Sequence, residues 1–535
     1  MATEQRTTTE GGDPDEQTDA PLGLTVASGA VAAAVVLPLL WLVKTSLDVG
    51  FTQALSLLTR PTTLTVFVNS TVLVTLSTAA CVLLGVPLAY LTVRTDLPFR
   101  RFWTVAVSLP LVIPSYIGAF AFVSAFSPRG GFQRFLAPFG VERLPEIYGL
   151  EGTVLVLTLY TYPYVYITAR ASLKSMDTTL IDAARTLEHG RWEAFKRVTV
   201  PQIRPAVAAG ALLAGLYVLS DFGTPSIMRY DVFTRVIFVE FGAFGQDMAT
   251  LLSLQLVGVT FVILWLESRI RGDERTSAGG RSRDVVPLGK WKLPAMAFCA
   301  AVAGLALVVP LAILVTWLGT SSASVNQSLA FRWQYALNSV SVSTAAALVA
   351  VVAGVPVAYL SARHGDRLSS YFERATYVGY AVPGVVLGLA LVYFGSSVGA
   401  PIYQSLYLLV FAYVIRFLPQ AVGSLRASFL RVDPSLPEAA RTLGRTSVGA
   451  FRHVTLPLVA PGLFGGAALV FLTTMKELPA TLLLRPPEFK TLVTHIWAAY
   501  GSGYFGQAAI PALVLLFVSG LSMLVIITQE GYDVK

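Results

Sequence analysis

Two acidic residues hold matching places in this 535-residue chain: Asp221, in Ser220-Asp-Phe-Gly223, and Glu477, in Met475-Lys-Glu-Leu-Pro-Ala480, lie 256 positions apart. Arg229 and Arg485, and Phe233 and Phe489, repeat at the same offset. Each acid closes a long apolar stretch. A carboxylate there can do electrostatic work: close to an axis between two repeats it lowers the energy of a cation crossing low-dielectric surroundings. The same acids could instead be interfacial residues paired with Arg229, Arg485 or Lys476. A second constellation is a polar loop. DAARTLEHGRWEAFKRVTVP, from Asp182 to Pro201, returns as EAARTLGRTSVGAFRHVTLP, from Glu438 to Pro457, with ten identities. Lipid-facing helices need only apolar bulk and small contact residues, so a charged loop written twice reads as a surface that fits a partner twice. Catalytic equipment is not expected. Cys81 and Cys299 fall in separate apolar stretches and offer neither a disulfide framework nor a CxxC metal site. His189, His364, His453 and His495 are scattered over separate loops, and there is no GxxxxGKS or GxxxxGKT phosphate loop.

The elements that must position these residues are membrane spans. With 54% hydrophobic and 13% charged residues, and a mean hydropathy of +0.65, the chain is too apolar for a soluble protein of its size. Stretches near the roughly 18 to 20 residues that cross a bilayer predict twelve spans, at 22–43, 66–91, 103–126, 152–168, 206–221, 248–266, 294–318, 338–361, 377–397, 403–419, 459–475 and 509–528. The larger share of the 39 Lys and Arg residues then falls on one set of loops, which places both termini in the cytoplasm. Membrane topology thus accounts for the net charge of +8, and no nucleic-acid partner is required. Residues 1–21, with Glu10, Asp13, Asp15, Glu16 and Asp19, read as a disordered cytoplasmic tail without the basic region of a secretory signal. Residues 529–535 form a second short tail.

The duplication extends beyond the polar loop. Asn69-Ser70, followed by Gly85-Val-Pro-Leu-Ala-Tyr-Leu91, returns as Asn338-Ser339 and Gly354-Val-Pro-Val-Ala-Tyr-Leu360 at an offset of 269. Two repeats, 22–266 and 294–528, are joined by a basic linker, 267–293. Six spans in each make the repeats parallel, with the permeation path expected between them. Within the loops 169–204 and 420–458, Asp177 and Asp433 are positioned to cap short helices, Pro434 suits a first helical position, and Gly444 can end the second helix with a left-handed backbone. Asp182 or Glu438 then sits near the positive end of a helix whose face carries Ala183 and Ala184, or Ala439 and Ala440. Such a helix can dock into a groove on a soluble partner or lie on lipid.

Glu438-Ala439-Ala440, then Gly444, Val454 and Leu456-Pro457, resembles the EAA loop of binding-protein-dependent ABC importer permeases. The first copy departs from that pattern, with Asp182 for Glu and Glu188 for Gly. The resemblance covers both halves and implies an all-α polytopic protein with the type I importer permease fold. It further implies a cell-membrane location, no cofactor or metal of its own, and no enzymatic activity: two copies of a separate ATPase subunit, docked on loops containing Asp182, Ala183, Ala184, Glu188, Pro201 and Glu438, Ala439, Ala440, Gly444, Pro457, hydrolyse ATP. An extracytoplasmic solute-binding protein delivers the cargo. SDFGTPSIMRY and MKELPATLLLRP are similar to fused iron(III) import permeases. Thiamine permeases share the plan, as do spermidine, sulfate and phosphonate permeases, so thiamine or another small cation is the alternative. A secondary transporter is the rival class. It has no use for a repeated Glu-Ala-Ala loop and would carry more ionisable residues in its spans than Arg416 alone.

Overall fold

The computed structural model describes residues 21–127, 132–133, 137–140, 146–176, 193, 195–271, 285–320, 327–364, 367–397, 399 and 402–529. These residues form helices and no named strand; the one β-bridge among them joins Thr95 to Val286. The first repeat comprises α1 (Leu22–Asp48), α2 (Phe51–Leu58), α3 (Pro61–Arg94), α4 (Arg100–Ala106), α5 (Ser115–Phe126), α6 (Gly149–Ser175), α7 (Val200–Ser220), α8 (Gly223–Ile227), α9 (Phe233–Gly242) and α10 (Gln246–Arg271). The second comprises α11 (Lys292–Ala303), α12 (Val309–Thr320), α13 (Trp333–Arg363), α14 (Arg367–Ala381), α15 (Gly384–Ser397), α16 (Leu406–Arg431), α17 (Ser435–Thr442), α18 (Ser447–Ala450), α19 (Leu456–Met475), α20 (Pro479–Leu484), α21 (Leu492–Gly501) and α22 (Phe505–Gln529).

Among the described residues nine helical segments are long and apolar enough to cross a membrane. The expected spans 103–126 and 377–397 differ from straight helices: each is a helix pair bent at a proline, by 94° before Ser115 and by 102° before Gly384. Ile113 is extended (φ −81°, ψ 122°), as a residue preceding proline prefers. The bent pairs nevertheless link opposite faces. α3 and α6 run in the same direction, with Cys81 beside Thr161 and Thr92 beside Tyr166, so the chain between them must return to the face where both begin. At that face the N–H of Gly149 donates to the Met228 carbonyl (2.8 Å), and the Asn69 amide donates to the Asp231 carbonyl (2.9 Å). α13 and α16 repeat the arrangement: Asn338 donates to the Lys490 carbonyl at the same face, and Arg363 to the Val432 carbonyl at the other. α6, the counterpart of α16, spans about 40 Å at 1.5 Å per residue. Its polarity comes from Tyr160, Tyr162, Tyr164 and Tyr166, which are buried or half-buried in protein and not turned to lipid.

Close helix approach is set by glycines at repeat-related positions. A Cβ on Gly85 would lie 3.0 Å from the Tyr166 nitrogen, one on Gly210 2.8 Å from the Val165 Cα, and one on Gly466 3.2 Å from the Ala421 Cα. The repeats exchange their first helices. α1 packs on α13, α14 and α15 of the second repeat, with Trp41 edge-on to Phe394 at 5.2 Å. α12 packs on α5 of the first, with Trp317 4.7 Å from Phe120, while Cys299 of α11 shares a buried cluster with Cys81 and Tyr162. The last residues of the linker are held against the first repeat. Asp96 pairs with Lys292 at 2.8 Å and accepts the Leu288 N–H at 2.7 Å, which holds its carboxyl below the usual carboxylate range.

Candidate functional site

The second polar loop folds as a capped helix. The Asp433 carboxylate accepts the Ser435 N–H at 3.0 Å, which holds its carboxyl below the usual range, and α17 begins at Ser435, one residue later than the Asp-Pro pattern suggests. α17 ends on Gly444, whose φ of +87° is the left-handed conformation expected; the Gly444 N–H reaches the Arg441 carbonyl and the Arg445 N–H the Ala440 carbonyl, closing a Schellman turn. Glu438 and Ala439 are exposed, Ala440 is half-buried, and Leu443 and Val448 project as apolar side chains at 86% and 76% exposure. Thr446 caps α18, and the chain re-enters the apolar region through a π-helical turn, Phe451–Thr455, with Pro457 in the first turn of α19. The first repeat has the same π turn at Phe195–Thr199 and Pro201 in the first turn of α7. π turns are rare and recur at functional sites. Tyr90 packs on Phe195, and Tyr359 on Phe451, fixing both turns against the long helices. Asp177, Asp182, Ala183, Ala184 and Glu188 lie outside the described residues.

At the opposite ends of α7 and α19 the two acids are held differently. Asp221 follows the last residue of α7; its Oδ2 accepts the Ser115 hydroxyl at 2.9 Å and its Oδ1 the Gly223 N–H at 3.1 Å. The Tyr217 hydroxyl donates to Ser115 Oγ at 3.4 Å, and the Thr234 hydroxyl to the Asp221 carbonyl at 2.7 Å. Glu477 forms an ion pair with Arg416, Nε to Oε2 3.2 Å, and accepts the Ala480 N–H at 3.3 Å. Arg416 also donates to the Val382 carbonyl at 3.1 Å, just before the bend at Pro383. A Cβ on Gly384 would stand 2.5 Å from Glu477 Oε1 and 2.8 Å from Arg416 Nη1, so the pair occupies the space that glycine leaves.

Pairing with Arg229, Arg485 or Lys476 is not what the structure holds. Arg229 lies over the Tyr148 ring at 4.9 Å. Arg485 is drawn to the carbonyls of Pro487 (2.9 Å) and Phe489 (3.3 Å), which turn toward it in the loop after α20. Lys476 crosses to the first repeat and donates to the Leu111 carbonyl at 3.0 Å, tying the end of α19 to the bend of the α4–α5 pair. The sequence reading missed Ser115 and Tyr217, and noted Arg416 only as a lone charge within a span. Aligning the broken spans at Pro114 and Pro383 would have set Ser115 against Gly384, and the 256 offset sets Tyr160 against Arg416.

Two parallel six-crossing repeats with a polar loop on one face and repeat-related acids toward the other define a multi-pass membrane permease. The chain matches the family described as binding-protein-dependent transport system inner membrane component twice, over residues 81–266 and 354–529, and it belongs to that family, the permeases of ABC importers that work with ATPase and solute-binding partners. It is 31% identical to a Fe(3+)-transport system permease protein, FbpB 2, of Haemophilus influenzae, over 94% of this chain and 97% of the relative. A probable ABC transporter permease protein of Sinorhizobium fredii is 24% identical over 95% of both chains. A probable molybdenum ABC transporter permease protein of Haloferax volcanii is 32% identical, over 38% of this chain and 73% of its own length.

Proposed function

We propose that the chain forms the membrane pathway for iron(III) in an ATP-driven importer, with both termini and both polar loops in the cytoplasm. The supporting observation is the placement of Asp221 and Glu477 just past the ends of matching helices, both in electrostatic reach of Tyr116, where Lys476 ties one repeat to the other. With Glu477 paired to Arg416, Asp221 is the carboxylate there that forms no ion pair among the described residues; a cation gains from it, whereas an oxyanion such as molybdate would meet it as a like charge. The full-length likeness to a Fe(3+)-transport permease agrees with a ferric cargo. One ATPase subunit on each loop gives two per permease, so ATP is hydrolysed outside this chain, and Glu438, Ala439, Ala440 and Gly444 are the contact residues in the second loop. The matching contact in the first loop falls to Asp182, Ala183, Ala184 and Glu188. In proteoliposomes containing the permease, its ATPase subunits and an iron-loaded binding protein, ATP should drive uptake of radiolabelled iron(III). Uptake of thiamine or molybdate in its place would overturn the cargo.

Orientation has its own test. Ser175 and Arg445 are exposed, and the native Cys81 and Cys299 are buried, so Ser175→Cys and Arg445→Cys supply the reactive thiols. Both should react with a membrane-impermeant thiol reagent in inside-out vesicles and stay unlabelled in intact cells; labelling from outside reverses the topology.

A further inference from the structure

The two repeats match in backbone and differ in the side chains around the acids, and the difference is one-sided. Around Asp221 stand Ser115, Tyr116 and Tyr217, with Tyr164 against Tyr217; the matching positions in the second repeat are Gly384, Val385, Thr473 and Gln420. Where the rings of Tyr164 and Tyr217 lie 5.9 Å apart, Thr473 instead donates to Gln420 at 3.0 Å. Glu477 has a cation at hand in Arg416, whereas Asp221 forms no ion pair among the described residues. Tyr116 is 5% exposed, its hydroxyl has no hydrogen-bond partner, and it lies within electrostatic reach of Tyr217, Glu477 and Asp221. A buried hydroxyl without a partner costs roughly 1 to 3 kcal/mol, a cost that a water or a bound ion within its reach would offset. Asp221, Tyr164 and Tyr217 are half-buried, and Tyr380 of the second repeat, in electrostatic reach of Tyr164 and Tyr217, is 45% exposed.

We propose that Asp221, Tyr116 and Tyr217 form an oxygen-donor station in the first repeat alone, which takes a hard trivalent cation in transit between the repeats. This rests on the reading of the cargo as iron(III). Small, highly charged cations prefer oxygen ligands, and a carboxylate with two phenols supplies them. Three donors leave the rest of the coordination shell to water, so the ion can be handed on by exchange of its ligands for water, as conduction requires. Where a phenol binds as phenolate, its proton passes to water as the metal–oxygen bond forms and returns when the ion leaves.

The test uses the purified permease–ATPase complex, with gallium(III) as a redox-inert probe in equilibrium dialysis and iron(III) uptake in proteoliposomes. Wild type should bind gallium(III) with an ultraviolet difference spectrum of perturbed tyrosine. Asp221→Asn and the double change Tyr116→Phe and Tyr217→Phe should each weaken binding and slow uptake about tenfold, with binding-protein docking and ATPase assembly unchanged. Thr473→Val, the matching hydroxyl of the second repeat, should bind and transport normally. If wild type imports iron(III) and the first-repeat variants bind and transport equally well, the station is wrong and the cargo stands. A wild type that imports no iron(III) removes both.

Discussion

Replacing Arg416 with methionine should destabilise the folded permease by about 3 to 5 kcal/mol, the cost of leaving one member of a buried ion pair without the other. The side chains of Arg416 and Glu477 are 13% and 7% exposed, so water cannot replace the lost partner cheaply. Arg416 also holds the Val382 carbonyl ahead of a 102° bend, a group with little else to satisfy it once the helix is broken. The detergent-purified variant should unfold at a clearly lower temperature. Adding Glu477→Gln removes the stranded charge and should recover most of the loss, because a neutral amide can keep the bond from the Ala480 N–H. An Arg416→Met protein that melts with wild type would show that the pair carries no stability.

The largest effect on transport is expected at the cytoplasmic loop. Glu438→Lys changes an exposed residue in the first turn of α17 and costs the isolated helix only about 0.3 to 1 kcal/mol through its dipole, so the chain should insert and fold. Gly444→Trp meets no neighbouring atom, although the +87° backbone is strained for any residue with a Cβ. Both alter the surface offered to a partner: one reverses its charge, the other adds bulk beside the exposed Leu443. Iron uptake should fall about thirtyfold or more, as for a lost interface hot spot, with normal amounts of permease in the membrane. Asp182→Lys should do less, since the first copy departs from the EAA pattern. Full uptake by Glu438→Lys would remove the docking role from this helix.

Much of this arrangement is legible in the residues. The spans follow from apolar length, the repeats from the two offsets, and the end of α17 from Gly444, because each is fixed by local chemistry. The bends were hidden. Pro87, Pro163, Pro205, Pro356, Pro419 and Pro461 all lie inside continuous helices, while Pro114 and Pro383 break theirs. The residue type is the same, and distant side chains hold the carbonyls at the bends, Lys476 that of Leu111 and Arg416 that of Val382. The inner portions of α6 and α16 were also cut short, at 168 and 419 where the helices reach Ser175 and Arg431, since Arg170, Gln420 and Arg426 end the hydropathy signal without ending the helix. The partner of Glu477 was out of reach because Arg416 is 61 residues away in a different helix, and only the fold brings the two together.

The exchange of first helices bears on why the two halves share one polypeptide. A half chain made alone would expose the faces of α1 or α12 that carry Trp41 and Trp317, and the quickest way to cover them would be a second copy of the same half, since the repeats are alike in backbone. Such a like-with-like pair would duplicate the tyrosines or lose them altogether. Covalent fusion enforces one copy of each, and a gene split within 272–284 should give halves that assemble when made together at matched levels, with mispaired, inactive species growing as the levels diverge. The peptide bond there acts as a stoichiometric control on which faces meet.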